Sequence, residues 1–199
     1  MDATTGAGTY SFTMPSSHLT LIPEFTVPIS TAQDLVKIHR KYGEFLLTKD
    51  LDLGTKWDST IYVYGDFNGN GHRITYGGKN SLFENVYSGG SVRHLNVNAN
   101  VRGKGMYIGG IAAINDGIIE DCVVSGKVRN RMKYSTAAGV AGKNERDGEG
   151  GIISHCHVLC DVIEAPTSCG IASQLEGATI RDNVFNGRFA NLDGHSYMI

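Results

Sequence analysis

Proline is scarce in this chain, with four residues in 199, and the four cysteines are no commoner. So little proline argues against a Pro-rich stalk or linker. Cys122, Cys156, Cys160 and Cys169 form no Cys-x-x-Cys pair, which argues against a zinc ribbon. There is no His-Glu-x-x-His, so this segment is not itself a zinc protease of that type. No apolar run approaches the roughly 20 residues that cross a bilayer, so no membrane insertion is expected. Charge of one sign is missing too: 18 Lys and Arg face 20 Asp and Glu, for a formal net charge of −2. The cations are not clustered along the sequence, and no nucleic-acid partner is expected. The N-terminus carries no signal peptide, which leaves a cytosolic protein or a piece of a longer exported one.

Glycine is abundant, at 26 residues. That is nearly twice the average usage of about 7%, and with little proline it points to an ordered fold with many tight turns. Residues 1–27 read as a small β element, with Thr9–Thr13 and Leu19–Ile22 as its strands around Met14-Pro15. Ser30-Thr31-Ala32-Gln33 has the form of a capping box with Ser30 as N-cap. Leu35, Ile38 and Tyr42 then share one helical face up to Gly43, giving an amphipathic helix over 31–42. Beyond it the pattern is β: Glu44–Leu47 and Ile61–Tyr64 as strands, then strand, glycine turn and strand across 67–74.

The chain repeats itself. Ser91–Val97, Ile118–Val124, Ile152–Val158 and Thr179–Phe185 align, with apolar columns Val92/Ile119/Ile153/Ile180 and Val97/Val124/Val158/Phe185. A third column, Val101/Val128/Val162/Phe189, lies four residues further on, and Gly110-Ile111-Ala112, Gly139-Val140-Ala141 and Gly170-Ile171-Ala172 form a recurring box. An insertion, Asn144 to Gly150, reads as a loop. A period near 30 residues with short β pieces and glycine corners predicts coils that stack into a parallel solenoid over 28–199, its open first coil covered by the helix. A β-sandwich fits the composition equally but leaves the repeat unexplained.

The stretch Tyr42–Leu53, Trp57, Phe67–Ile74 and Ser81-Leu82-Phe83 resembles the opening of GLUG-repeat proteins, and Gly109–Val128 follows their repeat unit nearly throughout. The resemblance covers about residues 30–190 and implies an all-β, right-handed parallel β-helix. Ala113 departs from the second glycine of that unit, and the fourth unit has lost much of the pattern. Such repeats occur in large bacterial surface and secreted proteins, including N-terminal regions of immunoglobulin A protease-like metallopeptidases. Tyr10–Phe25 looks like the close of an internalin-type B-repeat. The implied setting is extracellular or cell-surface, as part of a longer chain.

Catalytic, metal and cofactor candidates are weak. His155-Cys156-His157 with Cys160 suggests a metal site, but Cys156 aligns with the inward Leu95 and Cys122, which leaves two histidines on the other face of a strand. Asp66, Asn68 and Asn70 have calcium-like spacing within a glycine turn. Asp50, Asp52, Asp58 and Asp66 are the carboxylates a polysaccharide lyase or glycosidase of this fold would use. Tyr62, Tyr64, Phe67 and Tyr76 could present rings to a sugar. His94, Asp121, His155 and Asp182 fall in one column. Cys122 and Cys156 should stack as free thiols, leaving Cys160 and Cys169 as the pair better placed to bridge. The expectation is a non-catalytic structural or adhesive module that meets a host protein or glycan on its lateral faces. The alternatives are a polysaccharide-active enzyme and an accessory region of a secreted zinc metalloprotease.

Overall fold

The computed structural model describes residues 25–58, 60–145, 151–174, 177–191 and 196–197; the two strands expected within residues 1–25 lie outside them. The chain winds into a right-handed parallel β-helix of about five turns. Its first face is a seven-stranded sheet, from Thr26–Ile29 and Glu44–Leu47 up to Thr179–Arg181. From the third turn on, the chain passes next to an eight-stranded second face, then to a four-stranded third face, and finally to a five-stranded fourth face. The third face begins only at Tyr107–Gly109, so the first two turns lack it.

Register within the first face runs Glu44, Asp66, Ser91, Ile118, Ile152, Thr179, so the turns take 22, 25, 27, 34 and 27 residues. The expected ladders are present. Val92, Ile119, Ile153 and Ile180 pair in succession, as do Val97, Val124, Val158 and Phe185. Phe45 and Phe67 extend the first column downward, and Leu51 and Ile74 extend the second. Most of these side chains are buried in one continuous core, with Ile180 and Phe185 packed against its far end.

Glycines mark the corner between the third and fourth faces. A Cβ on Gly110 would lie 2.4 Å from the Gly139 carbonyl oxygen, and one on Gly139 would lie 2.3 Å from that of Gly170. The backbone of the next turn occupies the space a side chain needs. This is the physical content of the recurring Gly-Ile-Ala and Gly-Val-Ala boxes.

The helix caps the first coil but is shorter than expected. It spans Ala32–Lys37, and its N-cap is Thr31, not Ser30. The Thr31 hydroxyl accepts from the Asp34 amide at 3.1 Å, while the Asp34 carboxylate accepts from the Ser30 amide, so Asp34 plays the part expected of Gln33. The Thr31 hydroxyl also donates to the Asp34 carboxylate at 2.8 Å, and this bond, helped by Lys37, holds the carboxyl down at about 2. Leu35 and Ile38 are buried under the cap, but Tyr42 is 80% exposed. The chain leaves the helix because the Arg40 amide turns to the Tyr62 carbonyl oxygen, with Arg40 in the left-handed region. Thr26–Ile29 pairs with Glu44–Leu47 across the expected boundary at 27/28. Pro28 sits in this end strand, where its missing N–H opposes further pairing.

Four corner residues between the first and second faces share a left-handed backbone: His94, Asp121, His155 and Asp182 have φ of 51°, 52°, 54° and 57°. His155 is therefore at a corner, and the strand starts at His157. Asn, Asp and His tolerate this conformation better than other L residues. Asp121→Val should destabilise the chain by about 1–2 kcal/mol, with Asp121→Asn changing stability by no more than about 0.5 kcal/mol. Urea midpoints at constant slope measure both, and equal tolerance of Val and Asn would contradict the corner assignment.

Candidate functional site

Residues singled out from the sequence are dispersed by the fold. Asp50 accepts from the Arg73 amide at 2.8 Å and faces His72 Nδ1 at 3.3 Å. The Arg73 amide lowers its pKa, with His72 adding to the effect. Asp52 accepts from the Gly54 amide at 2.8 Å and closes a local turn. Asp58 takes a bond from Asn80, and Asp66 takes one from Ser91 on the first face. Each carboxylate thus has its own separate partner.

The turn holding Asp66, Asn68 and Asn70 is built by backbone chemistry. Asn68 Oδ1 accepts from the Asn70 amide at 2.8 Å, and both Asn70 and Gly71 take positive φ. The corner column pairs His94 with Asp121 at 3.7 Å and His155 with Asp182 at 3.9 Å. Both pairs are about half exposed, so each contributes only about 0–1 kcal/mol. His157 meets Asn186, while Cys156 and Cys160 are buried. Among the described residues no three His, Cys, Asp or Glu gather where a metal could sit.

The expected aromatic face divides in two. Phe67 and Tyr76 are core residues, and the Tyr76 hydroxyl donates to the Gly110 carbonyl oxygen. Tyr62 and Tyr64 point outward and join Tyr87 and Tyr42, with Tyr64 and Tyr87 in edge contact at 4.6 Å. Arg40 lies 5.0 Å over the Tyr62 ring. An inward amide ladder was not anticipated: Asn115 Nδ2 donates to Asn144 Oδ1 at 2.7 Å, both fully buried. Asn144 therefore ends a strand and does not begin the inserted loop; residues 146–150 of that loop lie outside the described residues.

Between the second and third faces lies a groove of about 640 Å³. Lys56, Lys79, Arg102, Lys104 and Arg129 line it, with Asp58 the one acid among the described residues of its walls. These cations are far apart in the sequence, but three steps among them, 56 to 79 to 102 to 129, are close to the length of one turn. That recurrence is the signal in the sequence that points to the groove.

The geometry defines a β-solenoid repeat protein, its core filled by ladders and its lateral faces open. The model of the GLUG motif matches residues 104–129, from the approach to the third face through the second face of the next turn, and supports reading the chain as a GLUG-repeat protein. No curated protein and no solved structure matches the chain.

All four cysteines are free and buried, Cys160 and Cys169 included, with no bridge between them. Cys122 and Cys156 sit in adjacent turns with their thiols in contact. Burial pushes the Cys122 thiol well up, while the hydrogen bond from Cys122 pulls Cys156 down. Burial takes Cys160 to about 12 and Cys169 to about 11. Because all four side chains are buried, a thiol reagent at neutral pH should react negligibly with the native chain and titrate four thiols in denaturant. Fewer than four on unfolding would reveal a disulfide.

Proposed function

We propose that the chain is a non-catalytic structural and adhesive module of a large bacterial cell-surface or secreted protein, tethered to other domains and exposing its lateral faces. The observation that carries this reading is the use made of the polar columns. His94, Asp121, His155 and Asp182 are spent on left-handed corners, and Asn115 and Asn144 on an internal amide ladder. Asp50, Asp52, Asp58 and Asp66 are each held by a different neighbour. Glycoside cleavage needs two carboxylates flanking one bond, about 5–9.5 Å apart, and these four are committed to separate local bonds. The GLUG match at 104–129 agrees with a repeat module. The likeness of the repeats to those of bacterial surface proteins supports the extracellular setting.

The purified chain incubated with acidic and neutral polysaccharides should release no unsaturated or reducing ends above the blank. Release that disappears on replacing Asp50, Asp52, Asp58 or Asp66 would make the chain an enzyme and end this reading.

A further inference from the structure

The groove beside the second face is built in three tiers. Its floor is Gly77-Gly78 in the second turn. A Cβ on Gly78 would lie 2.0 Å from the Trp57 carbonyl oxygen, so the floor is bare backbone held close against the neighbouring turn. The Thr55–Asp58 loop of the first turn forms one wall. The other wall comes from the third turn, which takes a longer path at this point. Val101 pairs with Gly78 and Ala112 with Phe83, so eleven residues of the third turn cover an interval that five cover in the second. The extra length builds the third face, and the groove occupies the step where the coil widens.

The charge in this step is unbalanced. Among the described residues, Lys56, Lys79, Arg102, Lys104 and Arg129 form no ion pair, although Glu164, held by Arg131, feels Arg129 and Arg102 at longer range. Arg102 and Arg129 are register partners in adjacent turns. Lys79 follows Gly78 in the same row, which places a third cation next to Arg102. Like charges facing each other across strands destabilise a sheet. Elsewhere the fold avoids this: Arg93 stacks on Glu120, and Asp161 binds Arg188. Arg129 Nη2 donates to Asn100 Oδ1 at 2.7 Å, while its Nε is enclosed with no partner among the described residues. A row of cations kept against these costs is a site for an anion.

We infer that this groove binds an acidic glycan, a chain of pyranose units bearing a carboxylate or sulfate on each unit. This deepens the reading of the chain as an adhesive module and rests on it. Lys79, Arg102 and Arg129 follow one another at the inter-turn distance of about 4.8 Å, so they match a polymer with regularly spaced negative charge. Thr55 and Asn100 add hydrogen-bonding groups suited to sugar hydroxyls. The one aromatic residue in the walls, Trp57, is 7% exposed, and its indole N–H is directed to the Leu82 carbonyl oxygen. It offers no face on which a nucleic-acid base would stack. The floor backbone is already paired with the turns on both sides, so an acidic peptide cannot bind by adding a strand.

Calorimetry on the whole chain would use four probes: a heparin-derived hexasaccharide, a hexagalacturonate, polyglutamate and a single-stranded oligonucleotide. At least one glycan should bind, and its affinity should fall several-fold between about 50 and 300 mM salt as screening shortens. Comparing the two glycans distinguishes sulfate from carboxylate recognition. The paired variant Lys79→Glu and Arg102→Glu should lose about tenfold or more in affinity. It should stay folded and melt close to the parent temperature, because the contact with Arg129 turns attractive while positions 79 and 102 remain like-signed neighbours. Lys41→Glu with Lys49→Glu, the same charge change outside the groove, should bind as the parent does. As a readout that needs no variant, bound glycan should protect Lys56, Lys79 and Lys104 of the parent chain from acetylation. The inference fails if neither glycan binds, if binding survives the paired reversal, if those lysines stay unprotected, or if polyglutamate or the oligonucleotide binds as tightly. Binding without turnover preserves both readings. Turnover of a bound glycan would end the module reading and keep the groove, whereas no binding and no turnover would do the reverse.

Discussion

Stacking in register is the constraint on which the rest of this molecule depends. Each turn sits on the next at about 4.8 Å, so a side chain's nearest non-local neighbour is its own equivalent one turn away. What a residue gains depends on what it does beside itself. Aliphatic residues gain, and Val97, Val124 and Val158 form an unbroken buried row. Carboxamides gain too, because each is both donor and acceptor: buried Asn115 donates to Asn144, which in turn donates to the Gly151 carbonyl oxygen. Charges lose unless the sign alternates. Arg93 beside Glu120 and Asp161 beside Arg188 follow that rule. Arg102 beside Arg129 breaks it.

The same constraint explains which features are legible in the sequence. A position that must pack against its equivalent leaves a periodic trace, so the apolar columns and the Gly-Ile-Ala box align from residue types and spacing alone. The first two turns escape that alignment because their lengths differ. Without the third face, and with the longer Gly69–His72 turn, Phe45 and Phe67 fall at spacings of 22 and 25 from the next equivalents. The helix is readable as a cap through Leu35 and Ile38. Its end is not, because the Arg40 amide is diverted by a carbonyl of the next turn, a contact no local pattern encodes.

Surface chemistry is harder to read, for the opposite reason. His94, Asp121, His155 and Asp182 look like a functional column, yet a left-handed corner alone accounts for those residue types. The groove cations leave little trace because they lie 23 to 27 residues apart, with Lys104 adjacent only to Arg102 among them. A cluster in space becomes a faint period in the sequence. Outward Tyr62 and Tyr64 and inward Phe67 and Tyr76 differ only in the strand face they occupy, which residue type does not reveal.

Turns that touch only their neighbours also set how the chain would respond to being pulled from its ends. Stability here is close to a sum over turns and the contacts between them. The first coil is closed by the helix, whereas Phe185 and Phe189 near the other end are only partly buried. Under tension the molecule should therefore unwind turn by turn. Turns of 22 to 34 residues would each release roughly 75 to 115 Å of chain, at about 3.4 Å per residue. A rod of this kind lengthens in unequal steps, so a tethered contact could yield part of its length before it lets go.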